Sequence, residues 1–257
     1  MKCSGKAFLL LLGLMFFYQL TWAQKEKPVL VAAASDLKFA LDSIILVFNQ
    51  EKEITVKPIY GSSGKLYEQL SNRAPFHIFM SADVRYPELL AEKGLTASEI
   101  YLYGVGRLVL WSRKYDVKDL GMEAFQQSWV KKVAIANPDH APYGKRAVES
   151  LAFYGWQEKL APLLVKGENI SQAAQFVATG AADLGMIALS LALSPTMKKY
   201  QRSYYLIPES SHSPLVQGAV VTSHGENSPE SYAFMAFLKG EKAIGIFRYF
   251  GFSQPSN

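Results

Sequence analysis

The residues best placed to do chemistry in this sequence are uncharged ones, gathered in four short turns. Each turn follows an apolar, strand-like stretch and opens a helix-like one. The first is Ala32-Ala33-Ala34-Ser35-Asp36-Leu37, where Ser35 reads as the N-cap of the next helix. The second is Tyr60-Gly61-Ser62-Ser63-Gly64-Lys65-Leu66, two serines flanked by two glycines. The third runs from Ala136-Asn137-Pro138 through Asp139-His140 to Ala141-Pro142-Tyr143-Gly144, with Pro142 in a first helical turn, where its missing N–H costs nothing. The fourth is Glu168-Asn169-Ile170-Ser171-Gln172, and Asn169 and Gln172 have the spacing of a capping box. Taken singly, each turn is most simply a helix cap. Taken together they point to an anion. A helix N-terminus presents unpaired N–H groups and a partial positive charge, so it holds an anion without Lys or Arg. Four such turns, two in each half of the chain, predict one oxyanion held between two lobes. Small residues such as Ser63, Gly64 and Gly144 let the backbone approach a compact ligand.

Other chemistries find little support. No two of His77, His140, His212 and His224 have metal-motif spacing, and each reads as structural or surface. Gly61-Ser62-Ser63-Gly64 is not the G-x-S-x-G elbow of hydrolases. Gly104-Val105-Gly106 lacks the third glycine of a dinucleotide fingerprint. A serine hydrolase would need a His and an acid beside Ser63 or Ser35, which the sequence neither shows nor excludes.

Alternating strands and helices must position these turns. Val29–Ala34 is a short apolar strand, and Leu37, Leu41, Ile44, Ile45 and Phe48 recur at helical spacing. Ile54, Val56 and Tyr60 alternate as a strand, with Pro58 marking an exposed edge or end. Phe76–Met80 is the next strand, and a helix over Pro87–Lys93 stops at Gly94. Further strands are expected at Val105–Trp111, Val133–Ala136, Leu184–Leu189, Tyr204–Ile207 and Val216–Thr222. Helices are expected between Pro142 and Gly155, from Ile170 to Gly180, and as a pair around Lys239-Gly240. This order predicts an α/β fold with mainly parallel sheets covered by helices.

The 257 residues allow one large domain or two moderate lobes, and an apolar share of 49% excludes a disordered chain. The net charge of +5 is not clustered, so no nucleic-acid partner is expected. Residues 1–23 read as a cleavable secretory signal: Lys2 and Lys6, an apolar run from Ala7 to Leu20, and Thr21-Trp22-Ala23 before Gln24. The alternative is a retained membrane anchor. The one cysteine, Cys3, lies inside that segment, which leaves no disulfide and no Cys-ligated zinc.

In order and spacing, these segments resemble the periplasmic molybdate-binding proteins of ABC importers. The resemblance runs from about Val29 to Phe252. Its carriers are Ala32 to Ser35, Gly61 to Leu66, Ala74-Pro75-Phe76-His77-Ile78-Phe79-Met80-Ser81-Ala82-Asp83, Tyr103 to Trp111, Ala136-Asn137-Pro138 with Ala141-Pro142-Tyr143-Gly144, Glu168-Asn169-Ile170, Gly180 to Gly185, and Phe247 to Phe252. It departs at His77, where the family usually has an acid.

The resemblance implies a type II periplasmic-binding fold of two lobes, each a mixed, mainly parallel sheet flanked by helices, with the ligand cleft between them. Lobe 1 would comprise 28–106 and a return segment 207–257, and lobe 2 would comprise 107–206. It implies a monomeric periplasmic carrier, not an enzyme, that delivers molybdate or tungstate to a permease with its ATPase and uses no cofactor. Ser35 and Ser63 would donate from the first lobe and the N–H groups of Tyr143 and Ile170 from the second, with Ser62 and Ala188 as further positions. No side chain would ligate the metal directly. Some relatives have a tyrosine donor where Ala188 stands, so that contact is lost or replaced here. Asp36 is expected to face outward, because an inward carboxylate would repel the ligand. Sulfate or phosphate could use the same four turns.

Overall fold

A computed structural model describes residues 27–255. The expected signal at 1–23, with Cys3, lies outside the described residues. Two five-stranded sheets organise the chain. The first contains β1 (Val29–Ala34), β2 (Val56–Gly61), β3 (Ile78–Ser81), β4 (Tyr101–Gly106) and β10 (Leu215–Val221), in the order β2-β1-β3-β10-β4. The second contains β5 (Leu108–Trp111), β6 (Val133–Ala136), β7 (Leu164–Gly167), β8 (Leu184–Ala188) and β9 (Tyr205–Leu206), in the order β7-β6-β8-β5-β9.

Each sheet is mixed in the same way. In the first, β1 pairs in parallel with β2 and β3, while β10 runs antiparallel to β3 and β4. In the second, β6 pairs in parallel with β7 and β8, while β5 runs antiparallel to β8 and β9. Parallel and antiparallel pairings are thus equal in number, where a mainly parallel sheet was expected. The antiparallel pairings all involve the strands that carry the chain out of one sheet or back into it.

The apolar run Val29–Ala34 is continuous because both faces of β1 are covered. Val29, Val31 and Ala33 join one core with Leu41, Ile44 and Phe48 of helix α1 (Lys38–Glu51). Ala32 joins the opposite core with Leu66 and Leu70 of helix α2 (Ser63–Ser71). Helix α3 (Arg85–Glu92) follows β3, and Gly94 behind it takes a left-handed φ of 66° that glycine adopts without strain. Pro58 lies on the edge strand β2, where its lack of an N–H is tolerated. In the second lobe, helices α4 (Pro142–Phe153) and α5 (Ile170–Thr179) follow β6 and β7. The tail helices α6 (Pro229–Leu238) and α7 (Glu241–Tyr249) return to the first lobe, where the Phe234 ring meets Phe48 edge-on with centroids 5.0 Å apart.

One expected strand divides. Val105–Trp111 reads as a single apolar run, but Val105 and Gly106 end β4 while Leu108 begins β5 in the other sheet. Only Arg107 separates them. Apolar periodicity registers burial, not which sheet a residue joins, so the crossing leaves no mark in the pattern. Strand β7 was not anticipated; it is a short edge strand, half exposed, with Lys166 at its third position.

Candidate functional site

The four turns converge. They leave the carboxyl ends of β1, β2, β6 and β7, and they meet around a small cavity. Its walls are Ala34, Ser35, Asp36, Gly61, Ser62, Ser63, Ala82, Ala141, Pro142, Tyr143 and Ile170. With the lobes closed, the free volume of the cavity is about 10 Å³, far below the roughly 300–1,000 Å³ of drug-sized sites and room for about one water molecule. Among the described residues, no Lys, Arg or His lies in this wall. Ser35, Ser62, Ser63, Tyr143 and Ile170 are therefore brought together as expected, but Ala188 is not among the lining residues; it is fully buried in β8, paired with Leu108.

The wall offers donors. Ser63, Tyr143 and Ile170 lie in the first turns of α2, α4 and α5, and their N–H groups have no acceptor among the described residues. The Ser63 hydroxyl accepts the Ala82 N–H at 3.0 Å, which leaves its own proton for a ligand.

Ser35 behaves differently from its expected role. It makes no cap bond to the helical turn that it begins. Its hydroxyl instead reaches into the other lobe, donating to Asn169 Oδ1 at 3.1 Å and accepting the Ser171 N–H at 3.3 Å. To serve an anion, this hydroxyl must turn from Asn169 toward the cavity. Asn169 does cap α5, accepting the Gln172 N–H at 3.1 Å; Gln172 reaches back to the N–H of Glu168, one residue earlier than a capping box requires.

Asp36 also departs from expectation. It is fully buried and lines the cavity instead of facing outward. Gln217 Nε2 donates to its Oδ2 at 2.8 Å, and Gln217 Oε1 in turn accepts the Tyr103 hydroxyl at 2.8 Å. Burial pushes the Asp36 carboxyl up to about 6, against the pull of Gln217, Tyr143 and nearby backbone N–H groups. Burial and the neighbouring Asp36 charge push the Tyr103 and Tyr143 hydroxyls well above their ordinary range. Gly106 leaves room for this network, because a Cβ there would overlap the Tyr143 hydroxyl and stand 2.5 Å from Gln217 Nε2.

The lobes are closed on each other. Gly64 donates its N–H to His140 O at 2.9 Å, and Ser62 Oγ lies 2.8 Å from His140 Nδ1. Arg146 of α4 pairs with Asp83 after β3 at 3.1 Å, with both side chains mostly buried. Lys65 and Glu168 meet across the rim at 3.3 Å. Sequence reasoning missed His140, Asp83, Arg146 and Gln217, because a lone His, an isolated ion and a strand Gln carry no local signal.

The chain as a whole has close counterparts. Residues 29–253 match the family described as bacterial extracellular solute-binding protein. The molybdate-binding protein ModA of Azotobacter vinelandii is 36% identical over 91% of this chain and 92% of its own length. That of Rhodobacter capsulatus is 35% identical over 87% of each. The solved periplasmic molybdate-binding protein of A. vinelandii superposes with a TM-score of 0.83, at 31% identity, covering 89% of this chain and all of that one.

The chain belongs to the ModA-type family of bacterial extracellular solute-binding proteins.

The architecture is accordingly the two-lobed periplasmic-binding fold. In such a solute-binding protein the cleft between lobes is the natural ligand site, since the strand ends and helix starts of both sheets face it. Ser62, His140 and Glu168 invite comparison with a hydrolytic triad. In this chain His140 Nε2 stands 3.6 Å from Glu168 Oε1, beyond hydrogen-bond reach. Two of the three members come from one lobe and Ser62 from the other, so the set exists only when the lobes meet.

Proposed function

We propose that this chain captures molybdate, and equally tungstate, in the cleft and carries it to an ABC permease with its ATPase. Convergence of three helix N-termini on one small cavity, with the N–H groups of Ser63, Tyr143 and Ile170 unpaired among the described residues, carries the reading. The hydroxyls of Ser35 and Ser63 and the N–H groups of Tyr143 and Ile170 would hold the four oxygens. Hydrogen bonds to a charged acceptor are strong, and neutral donors leave no buried counter-charge to desolvate. The metal would reach the protein only as its oxyanion. Ser62 keeps its bond to His140 and shapes the wall, while Ala188 takes no part in the site.

The lobes are read as residues 28–106 with 207–257, and 107–206. They would open about the two connections, at Arg107 and between Leu206 and Leu215, to admit the ion. We read the protein as a monomer acting in the periplasm after removal of residues 1–23, without a cofactor and without enzymatic activity. The family to which the chain belongs supports the carrier reading over a hydrolase, as does the loose contact between His140 and Glu168.

Sulfate carries the same charge as molybdate, so selection rests on size. A smaller anion leaves donors unpaired, at about 1–3 kcal/mol each. The test is thermal unfolding with molybdate, tungstate, sulfate and phosphate. A ligand at about 100 times its Kd stabilises by about 2.7 kcal/mol, which molybdate and tungstate are expected to do. Stabilisation by sulfate or phosphate alone would reassign the ligand.

A further inference from the structure

Among the described residues, Asp36 is the one acidic residue in the cavity wall. It is fully buried, and Oδ1 of its carboxyl has no hydrogen-bond partner among the described residues. The groups that face it are Gln217 on β10, Tyr103 on β4 and Tyr143 at the start of α4. None is a cation. Ser190 lies close too, but its hydroxyl donates to the backbone oxygen of Asp36 at 2.7 Å. A carboxylate in this place would stand beside a bound dianion with no counter-charge, in an interior that magnifies the repulsion. A carboxylic acid removes the repulsion and supplies a donor.

We propose that Asp36 is a ligand of the bound oxyanion in its neutral acid form, and that capture of the dianion brings one proton from solvent onto Oδ1. This rests on the oxyanion reading above. Carboxylate, proton and dianion combine into a carboxylic acid whose O–H donates to an anion oxygen. No bond to the anion's central atom forms or breaks. Gln217 fixes which oxygen is protonated, because its Nε2 donates to Oδ2 and so requires an acceptor there. Burial already raises the affinity of this carboxyl for a proton before any anion arrives. The acid also bears on selectivity. It favours an anion whose facing oxygen is bare, and it opposes one that brings a hydrogen to the same place.

The test is calorimetric titration of the full protein with sodium molybdate, in buffers of different ionisation enthalpy, from about pH 6 to about pH 9. The expected result is proton uptake approaching one near the alkaline end, with affinity falling about tenfold per pH unit there. Asp36→Asn, which keeps the shape and a permanent donor, should bind without uptake and with a nearly flat pH profile. Molybdate binding by the unaltered protein with no proton uptake and no pH dependence would overturn the proposal and leave the oxyanion reading standing. Tight binding of phosphate without uptake would also overturn it, because a carboxylate accepting the anion's own hydrogen would then be the working form. Failure to bind molybdate or any other oxyanion across the range would remove the oxyanion reading, and this inference with it.

Discussion

Ser35 and Ser171 bind each other twice across the cleft. The Ser171 hydroxyl donates to the backbone oxygen of Ser35 at 2.7 Å, and the Ser171 N–H donates to Ser35 Oγ at 3.3 Å. One lobe's strand end thus caps the other lobe's helix. Closing the cleft satisfies part of the N-terminus of α5, and the same serine is a proposed ligand, so closure and capture share a residue.

Ser35→Ala should weaken molybdate binding by about tenfold to a hundredfold, since a hydrogen bond to a charged acceptor contributes roughly 1.5–3 kcal/mol. It should also shift the ligand-free protein toward more open lobes. Titration calorimetry reads the first effect and small-angle X-ray scattering the second. Unchanged affinity would remove Ser35 from the site.

Ser63→Asp should abolish binding. Ser63 is fully buried and lines the cavity, so a second carboxylate would sit beside Asp36 and the ligand alike. Thermal unfolding with and without molybdate reports the loss, and retained stabilisation would place the site elsewhere.

Gly64→Ala separates closure from folding. A Cβ at Gly64 would lie 2.6 Å from the backbone oxygen of His140 in the opposite lobe. Alanine is the better helix former by about 1 kcal/mol, so α2 itself should not suffer. The expected outcome is a normally folded protein by circular dichroism that binds molybdate more weakly and stays more open in scattering.

Asp83 and Arg146 form a largely buried bridge between lobes, and a double-mutant cycle through Asp83→Ala and Arg146→Ala measures it. A coupling of about 1 kcal/mol is expected. It should appear mainly as faster release of molybdate in stopped-flow dissociation, because the bridge exists only in the closed form.

Asp36 makes stability depend on pH. Its folded value of about 6 lies above its ordinary 3.8, so the folded chain binds more protons than the unfolded chain between those values. Stability contributed by this group is full below about pH 4, falls as pH rises toward 6, and stays low above it. The gap corresponds to about 3 kcal/mol. Urea unfolding of Asp36→Asn should therefore show it more stable than the unaltered protein at about pH 8, with the difference vanishing near pH 4. An advantage of equal size at both values would contradict the assignment.

The elements were legible where burial has a period. The apolar spacing of Leu37 to Phe48 gave α1, and the apolar run Val29–Ala34 gave β1, because a helix stripe and a strand covered on both faces each leave a pattern in the chain. The four turns were legible because small and capping residues at strand ends have few other uses. They lead to the site: Ser35, Ser62, Ser63, Tyr143 and Ile170 all line one cavity.

What joins distant segments was not legible. Ser35 is a capping residue by type, yet which helix it serves depends on α5 lying opposite, more than a hundred positions along the chain. The inward direction of Asp36 has no local signal for the same reason. Its partners are Gln217 and Tyr143, from β10 and α4, and no local rule ties an acid after a serine to an amide on a returning strand. The crossing at Arg107 escaped notice because both sheets bury apolar residues equally. Sequence by itself determined most of the elements, the four turns and the family, since these depend on residue type and short spacing. Only the tertiary structure decided which donors face the cavity, how the lobes latch, and that a carboxyl lies among them, because those follow from where remote segments meet.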